Sequence, residues 1–82
     1  MFYKVKNVEA LQNFILKIEF QEEIIKYYDV KPLFRKWKTF EILEKDTKLF
    51  NQVKVDQGGY GISWNEDIDL SCEELWNNGD LE

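Results

Sequence analysis

A single cysteine and no histidine occur in this chain of 82 residues. Cys72 has no partner for an internal disulfide, and the chain lacks the ligand set of a small metal-stapled fold. Whatever holds the chain together must therefore be an apolar core. A chain this short buries only about 60–65% of the surface it exposes when unfolded, so that core has to be dense. Apolar residues make up 44% of the chain and aromatic residues 16%. Trp37, Trp64, Trp76 and the six phenylalanines each bring roughly 150–250 Å² of burial, enough to close a small core without staples. Charged residues are a third of the chain and are interspersed along it, which argues against a disordered tail. The expectation is one domain spanning residues 1–82.

The same counts bear on location. A lone cysteine suits a reducing, cytoplasmic setting. No apolar run reaches the roughly 18–20 residues of a membrane span. Lys4, Lys6 and Glu9 interrupt the N-terminal apolar residues, so no signal-peptide pattern forms. Eleven basic residues face sixteen acidic ones, for a formal charge of −5. Duplex DNA binding needs cations massed on one face to displace counterions, and this balance opposes it. The one local cluster, Lys31, Arg35, Lys36 and Lys38, reads as the solvated face of a helix.

The pattern along the chain predicts an α+β fold. Phe2–Val8 reads as a short first strand. Phe14, Leu16, Ile18 and Phe20 alternate with Ile15, Lys17 and Glu19, the period-two spacing of a half-buried strand. Gln21, Glu22 and Glu23 form a turn, and Ile24–Val30 returns as the antiparallel partner. Asp29 and Pro32 then suit the start of a helix over about 30–44, with Leu33, Trp37, Phe40 and then Leu43 or Glu44 on its apolar stripe. Asp46 caps a further helical turn carrying Leu49 and Phe50. Val53 and Val55 mark another strand, Gly58 and Gly59 a tight turn, and Tyr60, Ile62 and Trp64 a returning strand. Ser71 and Glu74 have the spacing of a capping box for a terminal helix that faces Leu75 and Trp76 inward and ends at Asn77-Asn78-Gly79. The expected order is β-β-β-α-(α)-β-β-α, an antiparallel sheet of two hairpin units with helices packed on it.

These residues also carry a family resemblance. The string from Phe50 through Val53-Lys54-Val55-Asp56, Gly58-Gly59-Tyr60-Gly61-Ile62 and Trp64 to Asp69-Leu70 and Glu74-Leu75-Trp76 resembles bacterial domain-of-unknown-function family 2442. Leu16, Ile18 and Phe20 followed by Asp29 and Val30 resemble its N-terminal hairpin and helix start. The likeness runs from about Val8 to Gly79 and rests on order and spacing. Where the family often has Pro and then Gly after the tryptophan, this chain has Asn65-Glu66-Asp67-Ile68. The resemblance implies a stand-alone small domain that partners a second small protein, in an arrangement resembling toxin–antitoxin pairs. Longer relatives carry a helix-turn-helix after the domain; nothing similar follows here before Glu82.

Candidate chemistry is sparse. Cys72 sits at a helix start that favours thiolate, but Glu73 and Glu74 oppose the anion and no histidine can act as base. Glu66, Asp67, Asp69, Glu73 and Glu74 match no calcium-loop spacing, and capping accounts for the last three. Gly58-Gly59-Tyr60-Gly61 lacks the lysine and helix of a phosphate loop. A carboxylate pair such as Asp56 and Asp69 is a weak signal, because nearly any acidic domain offers one. No catalytic, cofactor or metal residue is therefore assigned.

The surplus is aromatic. Neighbouring Tyr27 and Tyr28 point to opposite sheet faces, and one face can lack a covering helix. Tyr and Trp are enriched in interface hot spots. The residues singled out for interaction or as family signature are Tyr27, Tyr28, Tyr60, Trp64, Asp69 and Leu70. The resulting expectation is a non-enzymatic, antitoxin-like or regulatory module that binds another small protein, with self-association open and no direct nucleic-acid contact. The alternative is a transcription-regulator-associated domain acting with DNA-binding partners.

Overall fold

A computed structural model describes residues 3–81 of the chain. Its elements are β1 (Val5–Ala10), β2 (Ile15–Phe20), β3 (Ile25–Asp29), α1 (Leu33–Lys36), α2 (Glu41–Lys45), α3 (Thr47–Phe50), β4 (Lys54–Val55), β5 (Gly61–Asn65), β6 (Ile68–Ser71), α4 (Cys72–Asn78) and β7 (Asp80–Leu81). The strands form two antiparallel sheets, one in the order β1-β2-β3-β7 and one in the order β4-β5-β6. The fold is α+β, as the pattern implies. No helix among the described residues is long and apolar enough to cross a membrane.

The inner side of the first sheet carries Val5, Leu16, Ile18, Phe20 and Tyr28. They join one buried cluster with Leu33, Phe34, Phe40, Leu43 and Phe50 from the helical region, Ile62, Trp64, Ile68 and Leu70 from the second sheet, and Leu75 from α4. The first strand runs from Val5 to Ala10, so Tyr3 and Lys4 fall outside it; Phe2 of the expected strand lies outside the described residues.

Phe14 leaves the strand predicted for it. Asn13 and Phe14 have φ of 61° and 59°, the left-handed pair of a two-residue hairpin turn, and the Ile15 amide donates to the Gln12 carbonyl. That position favours glycine; an aromatic residue there costs roughly 1–2 kcal/mol. What the turn gains is placement of the ring. Phe14 meets Phe34 and Phe50 edge-on, both at 5.1 Å, pinning the hairpin tip to α1 and α3.

The single helix expected over 30–44 is broken at Trp37, which is extended (φ −127°, ψ 125°) and 39% exposed. Geometry explains the break. On one straight helix Phe34 and Leu43, nine residues apart, fall about half a turn from each other and so on opposite faces. The break lets both reach the core, and Trp37 is the residue turned out. Asp29 does not cap α1; its carboxylate accepts from the Lys31 amide at 3.0 Å, a local turn that leads into Pro32. Asp46 does cap α3, accepting from the Leu49 amide at 3.1 Å.

Two short strands were not foreseen. In β6, Ile68 and Leu70 are buried and Asp69 and Ser71 exposed, an alternation too brief to read from four residues. The Asn65 side chain makes the β5–β6 turn by accepting from the Asp67 and Ile68 amides at 2.8 and 3.0 Å, so no Pro or Gly is needed there. The two-residue β7 pairs with Lys26 and Tyr27 at the edge of the first sheet. Tyr60 precedes β5 instead of starting it.

The α4 cap forms on one side only. The Ser71 hydroxyl accepts from the Glu74 amide at 3.1 Å, while the Glu74 carboxylate turns away to accept from Tyr28 and Asn78. Ser71→Ala is expected to cost about 1 kcal/mol, with Ser71→Asp and Ser71→Asn close to the parent because both cap well. Urea denaturation of the three variants checks this; equal damage from all three would remove the capping account. Of the two residues expected inward on α4, Leu75 is buried, whereas Trp76 lies at the rim. It is stacked on Tyr3 at 3.7 Å and edge-on to Phe20 at 5.0 Å.

Candidate interaction face

Pairing register places side chains on the second face of the four-stranded sheet without ambiguity, since paired residues share a face. One row runs Glu9, Lys17, Tyr27 and Asp80; the next holds Asn7, Glu19 and Ile25; the third holds Ile15 and Asp29. Ile15, Ile25 and Tyr27 are half-buried, and among the described residues they lie outside the buried core cluster. They form a small apolar centre on the outer face. Around it Lys6 lies 3.7 Å from Glu19, and Lys31 lies 2.9 Å from Asp29. Glu9 and Asp80 stand exposed at opposite edges.

Tyr28 points the other way, as adjacent strand residues must. It is buried, and its hydroxyl donates to the Glu74 carboxylate at 2.8 Å. Burial first, and then the hydrogen bond and negative charge of Glu74, hold the phenol well above its ordinary value of 10.0. The folded chain therefore keeps this proton at pH values where the unfolded chain releases it. The stabilisation is complete below about pH 10 and is lost as pH rises above it, by up to roughly 1.4 kcal/mol per pH unit. In Tyr28→Phe that component of the alkaline loss is expected to vanish, so the two proteins' stabilities converge above about pH 10 in paired urea melts. A constant gap across that range would show that Tyr28 does not titrate as described.

The other singled-out residues separate into two groups. Trp64 and Leu70 are buried at 4% exposure each and serve the core. Tyr60 is 52% exposed with the Lys4 ammonium 5.1 Å from its ring centre, and Asp69 is exposed on β6 beside Ser63. Neither Tyr60 nor Asp69 lies on the outer face of the first sheet. The six residues thus do not converge on one site; only Tyr27 belongs to the apolar centre. Ile15 and Ile25 are not among the six; the alternation of Ile15, Lys17 and Glu19 against the buried set is the signal for Ile15. Cys72 is buried. Two open grooves meet at Phe14: one passes Pro32 and Arg35 and is lined by charges of both signs, while the other passes Leu11 and Thr47 and is lined by apolar and uncharged polar residues.

Residues 5–80 match the family described as protein of unknown function, DUF2442. The chain belongs to this family. No curated protein matches it. Among solved structures, it is similar to the crystal structure of a candidate DNA-binding protein from Nitrosomonas europaea. The TM-score is 0.69 at 23% identity, over 80% of this chain and 42% of that one. The chain thus spans less than half of that structure, and the likeness is one of fold. Within the family pattern, Trp64 donates from its indole nitrogen to the Phe50 carbonyl at 3.0 Å, tying together two residues of the string that marks the resemblance. Gly58 and Gly59 take φ of 82° and 80°. The quoted pattern is largely the closure of the second sheet.

Proposed function

We propose that this member of the DUF2442 family is a non-enzymatic, cytoplasmic protein-binding module. It acts as an antitoxin-like or regulatory partner of another small protein. The observation that carries the reading is the apolar centre Ile15, Ile25 and Tyr27 on a sheet face outside the core. Aromatic residues in such a centre are typical anchors of protein interfaces. The partner it fits is a small protein with a basic surface. Lys6, Lys31 and Lys17 offset Glu19, Asp29 and Glu9, while Asp80 and the net charge of −5 set the sign of the approach.

The test is co-expression of the tagged chain with the product of the adjacent reading frame. A one-to-one complex is expected, weakened at high salt and lost in Ile25→Lys and Tyr27→Ala, while the melting curves of the free variants stay near the parent. A complex indifferent to both substitutions, or no complex at all, overturns the proposal.

A second reading, a regulator-associated domain acting with DNA-binding partners, draws on the name given to the longer Nitrosomonas protein. The acidic balance weighs against direct contact by this chain. At physiological salt no mobility shift of duplex DNA is expected; a salt-sensitive, sub-micromolar shift would favour the second reading.

A further inference from the structure

The charge of this chain is unevenly placed along it. Residues 55–82 contain eight carboxylate side chains and not one lysine or arginine, whereas residues 31–50 carry six basic side chains against three acidic ones. On the acidic side, Glu66 and Asp67 form the tip of the β5–β6 turn, Asp69 lies on β6 and Glu73 on the first turn of α4, all exposed. On the basic side, the helix break turns five consecutive residues outward: Arg35, Lys36, Trp37, Lys38 and Thr39. The Lys36 ammonium lies 4.9 Å from the Trp37 ring centre, and Phe40 backs the same ring at 5.5 Å. Among the described residues neither Arg35, Lys36 nor Lys38 is engaged in an ion pair. An exposed tryptophan, supported from behind and bracketed by three cations outside any ion pair among the described residues, has the composition of an interface hot spot.

We infer that this segment docks the acidic β5–β6 turn and α4 start of a second copy of the same chain. The occupant follows from charge. Glu41 and Glu44 beside the cations disfavour the uniform negative backbone of a nucleic acid. Four separate exposed carboxylates, Glu66, Asp67, Asp69 and Glu73, are present on the chain itself, with Lys54 two strands from Asp69 on the same face of the second sheet. The contact joins different patches of the two copies, so it is head-to-tail and propagates into open chains or closed rings. It is separate from the outer sheet face and stands without the reading proposed for that face.

The test uses the full chain alone in analytical ultracentrifugation across a concentration series. The parent is expected to self-associate, weakening by roughly an order of magnitude or more between about 0.1 M and 1 M salt as the screening length falls from roughly 10 to roughly 3 Å. Lys36→Glu with Lys38→Glu, and separately Asp67→Lys with Asp69→Lys, are each expected to be monomeric with the parent's melting curve. Mixed together, they should associate again, because the unchanged patches of the two variants still match and their reversed patches complement each other. Trp37→Ala is expected to weaken association of the parent without altering its melting. A parent that stays monomeric throughout, reversal variants that associate like the parent, or a mixture that stays monomeric each overturns the inference. So does a symmetric dimer indifferent to these charges.

Discussion

Trp64→Ala is expected to lower the unfolding free energy by about 3–5 kcal/mol, the range for large aromatic deletions in packed cores. Three contributions converge on this ring. It is 4% exposed, so its apolar surface is almost wholly withdrawn from water. It packs edge-on against Phe40 at 5.8 Å and nearly parallel to Phe50 at 6.2 Å, so its removal leaves a cavity between the second sheet and the helical region. Its indole N–H also satisfies the Phe50 carbonyl, one of the acceptors left over at the end of α3. A small domain holds only about 5–15 kcal/mol in total, so the variant is expected to melt far below the parent or to be partly unfolded at room temperature. Trp64→Phe separates the terms. It retains most of the apolar volume and loses the donor, so its cost should be roughly 1–3 kcal/mol. Chemical denaturation of both variants measures the difference. A Trp64→Ala protein that melts like the parent but loses a binding partner would make Trp64 an interface residue and void its place in the core.

How much of this was legible in the sequence depends on the length of the signal. Leu16, Ile18 and Phe20 repeat the two-residue period often enough to declare a strand and its buried face. The three residues before them conceal a turn, because Asn13-Phe14 lacks the glycine that normally marks one. The ring contacts that hold Phe14 there come from Phe34 and Phe50, twenty and thirty-six residues away. The single helix expected over 30–44 fails for a related reason. Leu33, Trp37 and Phe40 fit a helical stripe, but the stripe omits Phe34, and a straight helix cannot bury Phe34 and Leu43 together. Counting every large apolar residue against the helical wheel would have exposed the conflict. The strands β6 and β7, at four and two residues, are stabilised by their neighbours in the sheet more than by their own composition. For the interaction face, the alternation gave Tyr27 its direction but could not say that no helix would cover it. That depends on where α1 and α4 pack, which is tertiary information.

The second large effect is expected at Gly59. Both glycines of the β4–β5 connection have positive φ, 82° at Gly58 and 80° at Gly59, so a side chain at either meets a backbone penalty of roughly 1–2 kcal/mol. Their surroundings differ. A Cβ on Gly58 would come within 3.0 Å of the Tyr60 ring, which is 52% exposed and can swing aside. A Cβ on Gly59 would lie 2.7 Å from the Val5 carbonyl oxygen and 3.2 Å from the Lys4 Cβ, where β1 of the first sheet crosses the turn. That oxygen is backbone and cannot rotate away, so the two sheets would have to part locally. Gly58→Ala should therefore cost about 1–2 kcal/mol, and Gly59→Ala about 3 kcal/mol or more, with strain and lost packing adding. Asparagine tests the division, because it tolerates the left-handed region better than alanine does. Gly58→Asn is expected near the parent, whereas Gly59→Asn should stay as damaging as Gly59→Ala, since its Cβ meets the same carbonyl. Urea melts of the four variants give the answer. If asparagine rescues position 59 as well as position 58, backbone conformation alone explains both glycines. The close approach of β1 would then not be what demands a residue without a side chain.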